Sequence, residues 1–173
     1  AGGRGAADSC IPGGMKLYGT FTSPFVRRVR VVALELGVEV EMVDTAAPGG
    51  PEALRRVSPI GKVPVAELDG EVVFDSHAII AEMVALRGPG ELRISGRTEP
   101  GEGNFVLAVD AALEAAIRLF YFRRDGVAVD PLPYMVKERE RVRTIMTWLE
   151  GHVHGGWCTR HRAFGLAELA LVT

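Results

Sequence analysis

Apolar and polar residues recur along this chain with two periods, and the change from one to the other divides it. Val38, Val40 and Met42 alternate with Glu39 and Glu41, the period of two that marks a half-buried strand. Ahead of them Phe25, Val26, Val29, Val32, Ala33 and Leu36 recur at helical spacing, with Arg27, Arg28 and Arg30 assigned to the opposite side. Ser23-Pro24 opens that helix. Serine is a favoured N-cap, and proline is favoured next because its missing N–H is not needed there. Gly37 ends the helix. Lys16 to Gly19 is a further strand candidate, so the first unit reads strand–helix–strand, with parallel strands and a right-handed crossover.

Ala46 to Pro51 reads as a loop and Glu52 to Val57 as a short helix. Val63 to Leu68 is a strand, Asp69-Gly70 a hairpin turn, and Glu71 to Phe74 the return strand. Asp75-Ser76 then caps a helix whose apolar residues are Ile79, Ile80, Met83 and Val84, and Gly88-Pro89-Gly90 ends it. A β-α-β unit followed by β-β-α predicts one mixed four-stranded sheet. After Pro100 only helical periods remain, over Asn104 to Arg124, Leu132 to His152 and Phe164 to Val172. The charged run Lys137 to Arg143 reads as a solvated face with Glu–Arg pairs. The expected organisation is a flexible leader over 1–14, an α/β domain over 15–87, a linker over 88–98 and an all-helical segment over 99–173.

Composition narrows the partners. A net charge of −2 offers no basic excess for nucleic acid or an anionic membrane surface. No apolar run reaches the roughly 20 residues of a membrane helix. The two cysteines, Cys10 and Cys158, lie far apart and make no disulfide framework, which points to a reducing, cytoplasmic setting. His152, His154, Cys158 and His161 have the ligand types for zinc, but the spacing H-x-H-x3-C-x2-H is not that of a structural site, so no metal is expected.

Three features fall on one end of the predicted sheet. Thr22-Ser23-Pro24-Phe25 is a helix start, whose free N–H groups and partial positive charge favour an anion such as a thiolate. Ser58-Pro59-Ile60-Gly61-Lys62-Val63-Pro64 is a turn into a strand. A cis bond before Pro64 would turn the Val63 backbone outward to pair with an extended peptide. Asp75-Ser76 is a second helix start that can bind a carboxylate and an ammonium. Each also reads as an ordinary cap or turn.

Their order is more specific than any one of them. KLYGTFTSPFVRRVRVVALELGVEVE, then SPIGKVPV, then the hairpin ending FDSHAIIAEMV, resembles the N-terminal half of a bacterial-type cytosolic glutathione transferase. The likeness runs from about Met15 to Leu86 and continues more weakly to Leu171. It implies a thioredoxin-like N-terminal domain, a cis bond before Pro64, a homodimer, and a role in detoxification with glutathione as co-substrate. By position, Ser23 faces the glutathione sulfur, with Thr22 as neighbour or substitute. Val63, next to Pro64, pairs with the cysteinyl backbone, and Lys62 meets the glycine carboxylate. Asp75 and Ser76 take the γ-glutamyl end, and Phe25 helps wall the site. A small electrophile is expected between the domains, against residues from Leu107 to Phe122. Relatives with cysteine at the position of Ser23 do thiol–disulfide chemistry, which a serine oxygen cannot. Against the same family the helical segment is expected to be C-terminally truncated, and Gly165 with Glu168 lacks the side-chain half of a capping box. The alternative function is a non-catalytic glutathione-binding or scaffold protein of the same fold.

Overall fold

The computed structural model describes residues 14–93, 100–158 and 162–173. Residues 1–13 of the expected leader, 94–98 of the expected linker, and His161 lie outside them. The chain forms two compact units that divide between Glu91 and Leu92.

The first unit runs β1 (Gly14–Gly19), α1 (Pro24–Glu35), β2 (Glu39–Asp44), α2 (Gly50–Val57), β3 (Val65–Leu68), β4 (Glu71–Val73) and α3 (Ser76–Arg87). The sheet order is β2-β1-β3-β4, with β1 parallel to β2 and the other neighbours antiparallel. This is the mixed four-stranded sheet that the order of elements predicts, and its thioredoxin-like form is the one the family resemblance implies. Side chains alternate across it. Leu17 and Gly19 point to the face that α1 and α3 cover, where Val26, Val29, Val32, Ile79 and Met83 are all buried. Tyr18 and Val65 point to the other face, against Leu54 of α2. There the Tyr18 hydroxyl donates to the Glu67 carboxylate. Asp69 and Gly70 turn the hairpin with φ of 49° and 85°, as an Asp-Gly turn requires.

The differences from expectation are local. α2 starts at Gly50 and not Glu52, because Gly49 adopts φ 83° ahead of it and Pro51 fits the first turn without an N–H. β3 starts at Val65 and not Val63, since Pro64 cannot donate to the ladder. The Val63–Pro64 bond is cis, as the family resemblance implies, and so is Phe74–Asp75. Arg28 breaks the assignment of arginines to the outer side, being 1% exposed. It stands three residues after Phe25 and four before Val32, and so shares their stripe.

The second unit holds α4 (Pro100–Arg124), α5 (Pro133–Glu150) and α6 (Leu166–Val172). Phe105, Val106, Val109, Leu149, Ala167 and Ala170 make its core. Within the charged run of α5, Arg143–Glu140 and Arg139–Asp130 are exposed pairs, as expected. Glu138 is not: it is fully buried, and its carboxylate takes Arg118 of α4 and Arg141 of α5. One residue of a charged run thus ties the two long helices together. Among the described residues no helix is long and apolar enough to cross a membrane.

α6 begins without a side-chain cap. Glu168 accepts the Gly165 N–H at 3.1 Å through Oε2 and the Cys158 N–H at 3.1 Å through Oε1. A Cβ at Gly165 would lie 2.9 Å from the Arg93 carbonyl oxygen and 3.1 Å from a Glu102 carboxylate oxygen. That wall is fixed, because the Arg93 N–H donates to the Phe164 carbonyl at 2.9 Å and its guanidinium pairs with buried Glu102 at 3.0 Å. The geometry decides the sign of Gly165→Ser. A serine cap gains only a few tenths of a kcal/mol over glycine, about 0.3. Displacing packed backbone costs about 1–3 kcal/mol. Gly165→Ser should therefore lower stability by about 1–2 kcal/mol in urea unfolding; a gain in stability would mean that this wall yields.

Candidate functional site

Strand order brings three segments to one edge of the first unit. β1 runs antiparallel to β3 with Tyr18 opposite Val65, so β1 ends where β3 begins. β4 runs antiparallel to β3 with Ala66 opposite Val73, so β4 ends at that edge too. Thr20 to Ser23 after β1, Val63-Pro64 before β3, and Asp75-Ser76 after β4 therefore leave the sheet at the same edge.

The first segment is pinned by a close approach. A Cβ at Gly19 would lie 2.3 Å from a Val26 methyl, so glycine lets the first turn of α1 reach the sheet end. Ser23 caps α1, its Oγ accepting the Val26 N–H at 3.4 Å. A hydroxyl that accepts a cap bond still has its proton to donate elsewhere. Ser23 is half-buried, while Thr22 is exposed and shares a hydrogen bond with Thr20 at 3.1 Å between hydroxyls. Phe25 is half-buried, with the Arg28 guanidinium 5.5 Å from its ring centre.

In the second segment, buried Ser58 accepts the Ile60 N–H at 3.3 Å and Gly61 turns the chain with φ 65°. Lys62 is exposed, Val63 half-buried and Pro64 buried. In the third, Asp75 is exposed and caps α3. Its Oδ1 accepts the N–H groups of His77 at 3.0 Å and Ala78 at 3.4 Å. Ser76 beside it is buried.

The structure thus brings Thr22, Ser23, Val63, Pro64, Asp75 and Ser76 to one edge, with Phe25 in the first turn of α1 and Lys62 on the entering loop. Ser23 and Asp75 both act as helix caps, as the ordinary reading expects. Sequence reasoning missed Arg28 and His77, whose Nη1 and Nε2 lie 3.2 Å apart. Spacing on α1 could have found Arg28. Nothing in the sequence marked His77. A groove of about 430 Å³ lined by Ala33, Leu34, Val38, Val40 and Met42 lies between α1 and β2, with none of the candidate residues in its lining.

On the second unit, Leu107, Phe120, Tyr121 and Phe122 of α4 are exposed. Among the described residues no group of three or more His, Cys, Asp or Glu is placed to hold a metal ion. His152 stacks on Trp148 at 3.9 Å, with its Nδ1 2.7 Å from the Trp148 carbonyl oxygen. His154 bridges to Trp157 across a Gly155-Gly156 turn.

Residues 17–89, which span the first unit almost end to end, match the family described as the glutathione S-transferase N-terminal domain. The chain is 29% identical over 147 residues to the uncharacterized GST-like protein YibF of Escherichia coli K12, covering 82% of this chain and 71% of that protein. It is 41% identical over 90 residues to glutathione S-transferase 4 of Zea mays, covering 49% of this chain and 39% of that one. Among solved structures, a glutathione S-transferase from Methylobacillus flagellatus KT, with GSH bound, superposes with a TM-score of 0.75 at 28% identity, over 91% of this chain and 79% of that chain.

The one cysteine among the described residues, Cys158, is half-buried. The Cys158 thiol is pushed up from 9.0 to about 11, first by burial and then by the Glu168 carboxylate. Two units of rise leave about a hundredfold less thiolate at any pH well below both values. In a Cys10→Ser background, Cys158 should therefore alkylate about a hundredfold more slowly at pH 8 in the native protein than in urea. Equal rates would mean that the thiol is neither buried nor held protonated.

Proposed function

We propose that this protein binds reduced glutathione along that edge, holds its sulfur as a thiolate, and presents it to a small electrophile. The observation that carries the reading is the convergence of a serine-capped helix start, the backbone ahead of a cis proline, and an Asp-Ser helix start. Glutathione offers one group to each. The thiolate meets the N-terminal end of α1, where the helix dipole gathers partial positive charge. The Ser23 hydroxyl, which already accepts from Val26, donates its proton to the sulfur, with Thr22 as neighbour. The N–H and C=O of Val63 pair with the cysteinyl backbone as an added strand would, and Lys62 faces the glycine carboxylate. The hydroxyl and backbone N–H of Ser76, at the start of α3, take the γ-glutamyl carboxylate. Asp75 keeps Oδ1 on its helix and gives Oδ2 to the γ-glutamyl ammonium, and Phe25 walls the sulfur end.

The bound GSH of the Methylobacillus flagellatus neighbour supports the ligand. The named transferase among the plant relatives supports the reaction class. Catalysis is anion stabilisation and positioning. No side chain of the protein forms a bond to the substrate, and a serine at this place has no disulfide chemistry to offer. The same reading includes a cytoplasmic homodimer.

Two variants test the roles separately. Ser23→Ala should lower kcat/KM for conjugation of an aryl halide by about 10²-fold or more, the loss typical of removing one donor to a developing or held anion. Its fold should survive. Turnover equal to wild type would give the role to Thr22 or to the backbone. Asp75→Asn separates ligand from cap, because asparagine caps as well as aspartate. It should weaken glutathione binding by about tenfold with the melting temperature unchanged. An unchanged dissociation constant would remove Asp75 from the site. Retention of glutathione without any conjugation by the wild type would favour the non-catalytic binding role.

A further inference from the structure

We infer that Arg28 is a positioning residue for the γ-glutamyl half of the site, acting through His77; the inference rests on the glutathione reading above. Removing a guanidinium from water costs several kcal/mol unless its donors find partners. An arginine on a surface helix can ordinarily avoid that cost by facing outward, as Arg27 does. Arg28 does not face outward. It is 1% exposed in the second turn of α1, and its Nη1 lies 3.2 Å from Nε2 of His77.

The direction of that bond follows from the groups. A guanidinium only donates, so His77 Nε2 accepts, which leaves the ring proton on Nδ1. The His77 backbone N–H in turn donates to Asp75 Oδ1 at 3.0 Å. Two hydrogen bonds therefore lead from Arg28 on α1 to Asp75 at the start of α3, through a single residue. The Phe25 ring, 5.5 Å from the guanidinium carbon, lies against the same fork.

α1 starts beside Ser23 and α3 starts beside Asp75. These are the ends proposed to hold the sulfur and the γ-glutamyl group of one ligand. Their separation must match the span from the cysteinyl sulfur to the γ-glutamyl group, and an error of about 1 Å is enough to lose most of such a fit. Packing of apolar stripes sets the distance between two helices but resists axial sliding weakly. A planar, buried fork with a directional partner resists sliding well. Arg28 and His77 thus register the two helix starts against each other.

The test compares glutathione with cysteinylglycine, which lacks only the γ-glutamyl group. Dissociation constants for both are measured on the full chain for wild type, His77→Ala and His77→Gln, with melting temperatures. His77 is exposed, so both variants should fold. In His77→Ala the preference for glutathione over the dipeptide should fall about fivefold to tenfold, with the dipeptide's own affinity changed less than about twofold. In His77→Gln, whose side-chain oxygen can accept from Arg28, the preference should return to within about twofold of wild type. An unchanged preference in His77→Ala, or an equal loss for both ligands, overturns the positioning role while leaving the glutathione site standing. Wild type that binds neither ligand overturns the glutathione reading and this inference with it.

Discussion

Everything proposed for this protein depends on the direction in which two helices enter the sheet. A helix start exposes N–H groups that have no partner within the helix and gathers partial positive charge there. In the order β2-β1-β3-β4, β1 and β4 run the same way, both antiparallel to β3. The helices that follow them, α1 and α3, therefore both open at one edge, and β3 enters from it. An edge built in this way is electrostatically prepared for a ligand with an anion at each end and a peptide in the middle. Side-chain identity then refines what the backbone already favours.

Buried charge is the second recurring device. Arg28 in the first unit, and Glu102, Glu138 and Glu168 in the second, are all at most 5% exposed. Arg28, Glu138 and Glu168 make hydrogen bonds to another element or at a helix end, and Glu102 pairs with the Arg93 guanidinium. Glu138 joins α4 to α5 through Arg118 and Arg141, while Glu168 holds the start of α6 and the Cys158 N–H. Such contacts are poor sources of net stability but good sources of register, because breaking one leaves an uncompensated buried group. In the first unit the register so fixed is that of the two helix starts.

Much of the sheet was legible in the chain. Alternation at Val38 to Met42, the Asp69-Gly70 turn, and the caps at Ser23 and Asp75 act over a few residues, and the structure bears them out. The convergence of the three segments was legible only through strand order, which the β-α-β then β-β-α sequence of elements implied. What escaped was decided by tertiary neighbours. Arg28 and Glu138 were sorted outward by residue type, although their spacing set them on buried stripes. Gly165 read as a missing cap, but the space left by Arg93 and Glu102 accepts no Cβ there. His77 gave no signal, because its partner comes from a helix far away in sequence.

The central claim is that the α1 helix start binds glutathione as a thiolate, and proton release measures that directly. Calorimetric titration of the wild-type chain with reduced glutathione near pH 7, in two buffers of different ionisation enthalpy, reports the protons lost on binding. A free thiol ionises near pH ~8.5, so a site that stabilises the anion must expel a proton there. The account predicts saturable binding with a substantial fraction of one proton released per glutathione, and a smaller release for Ser23→Ala. No saturable binding, or binding with the same heat in both buffers, would contradict it.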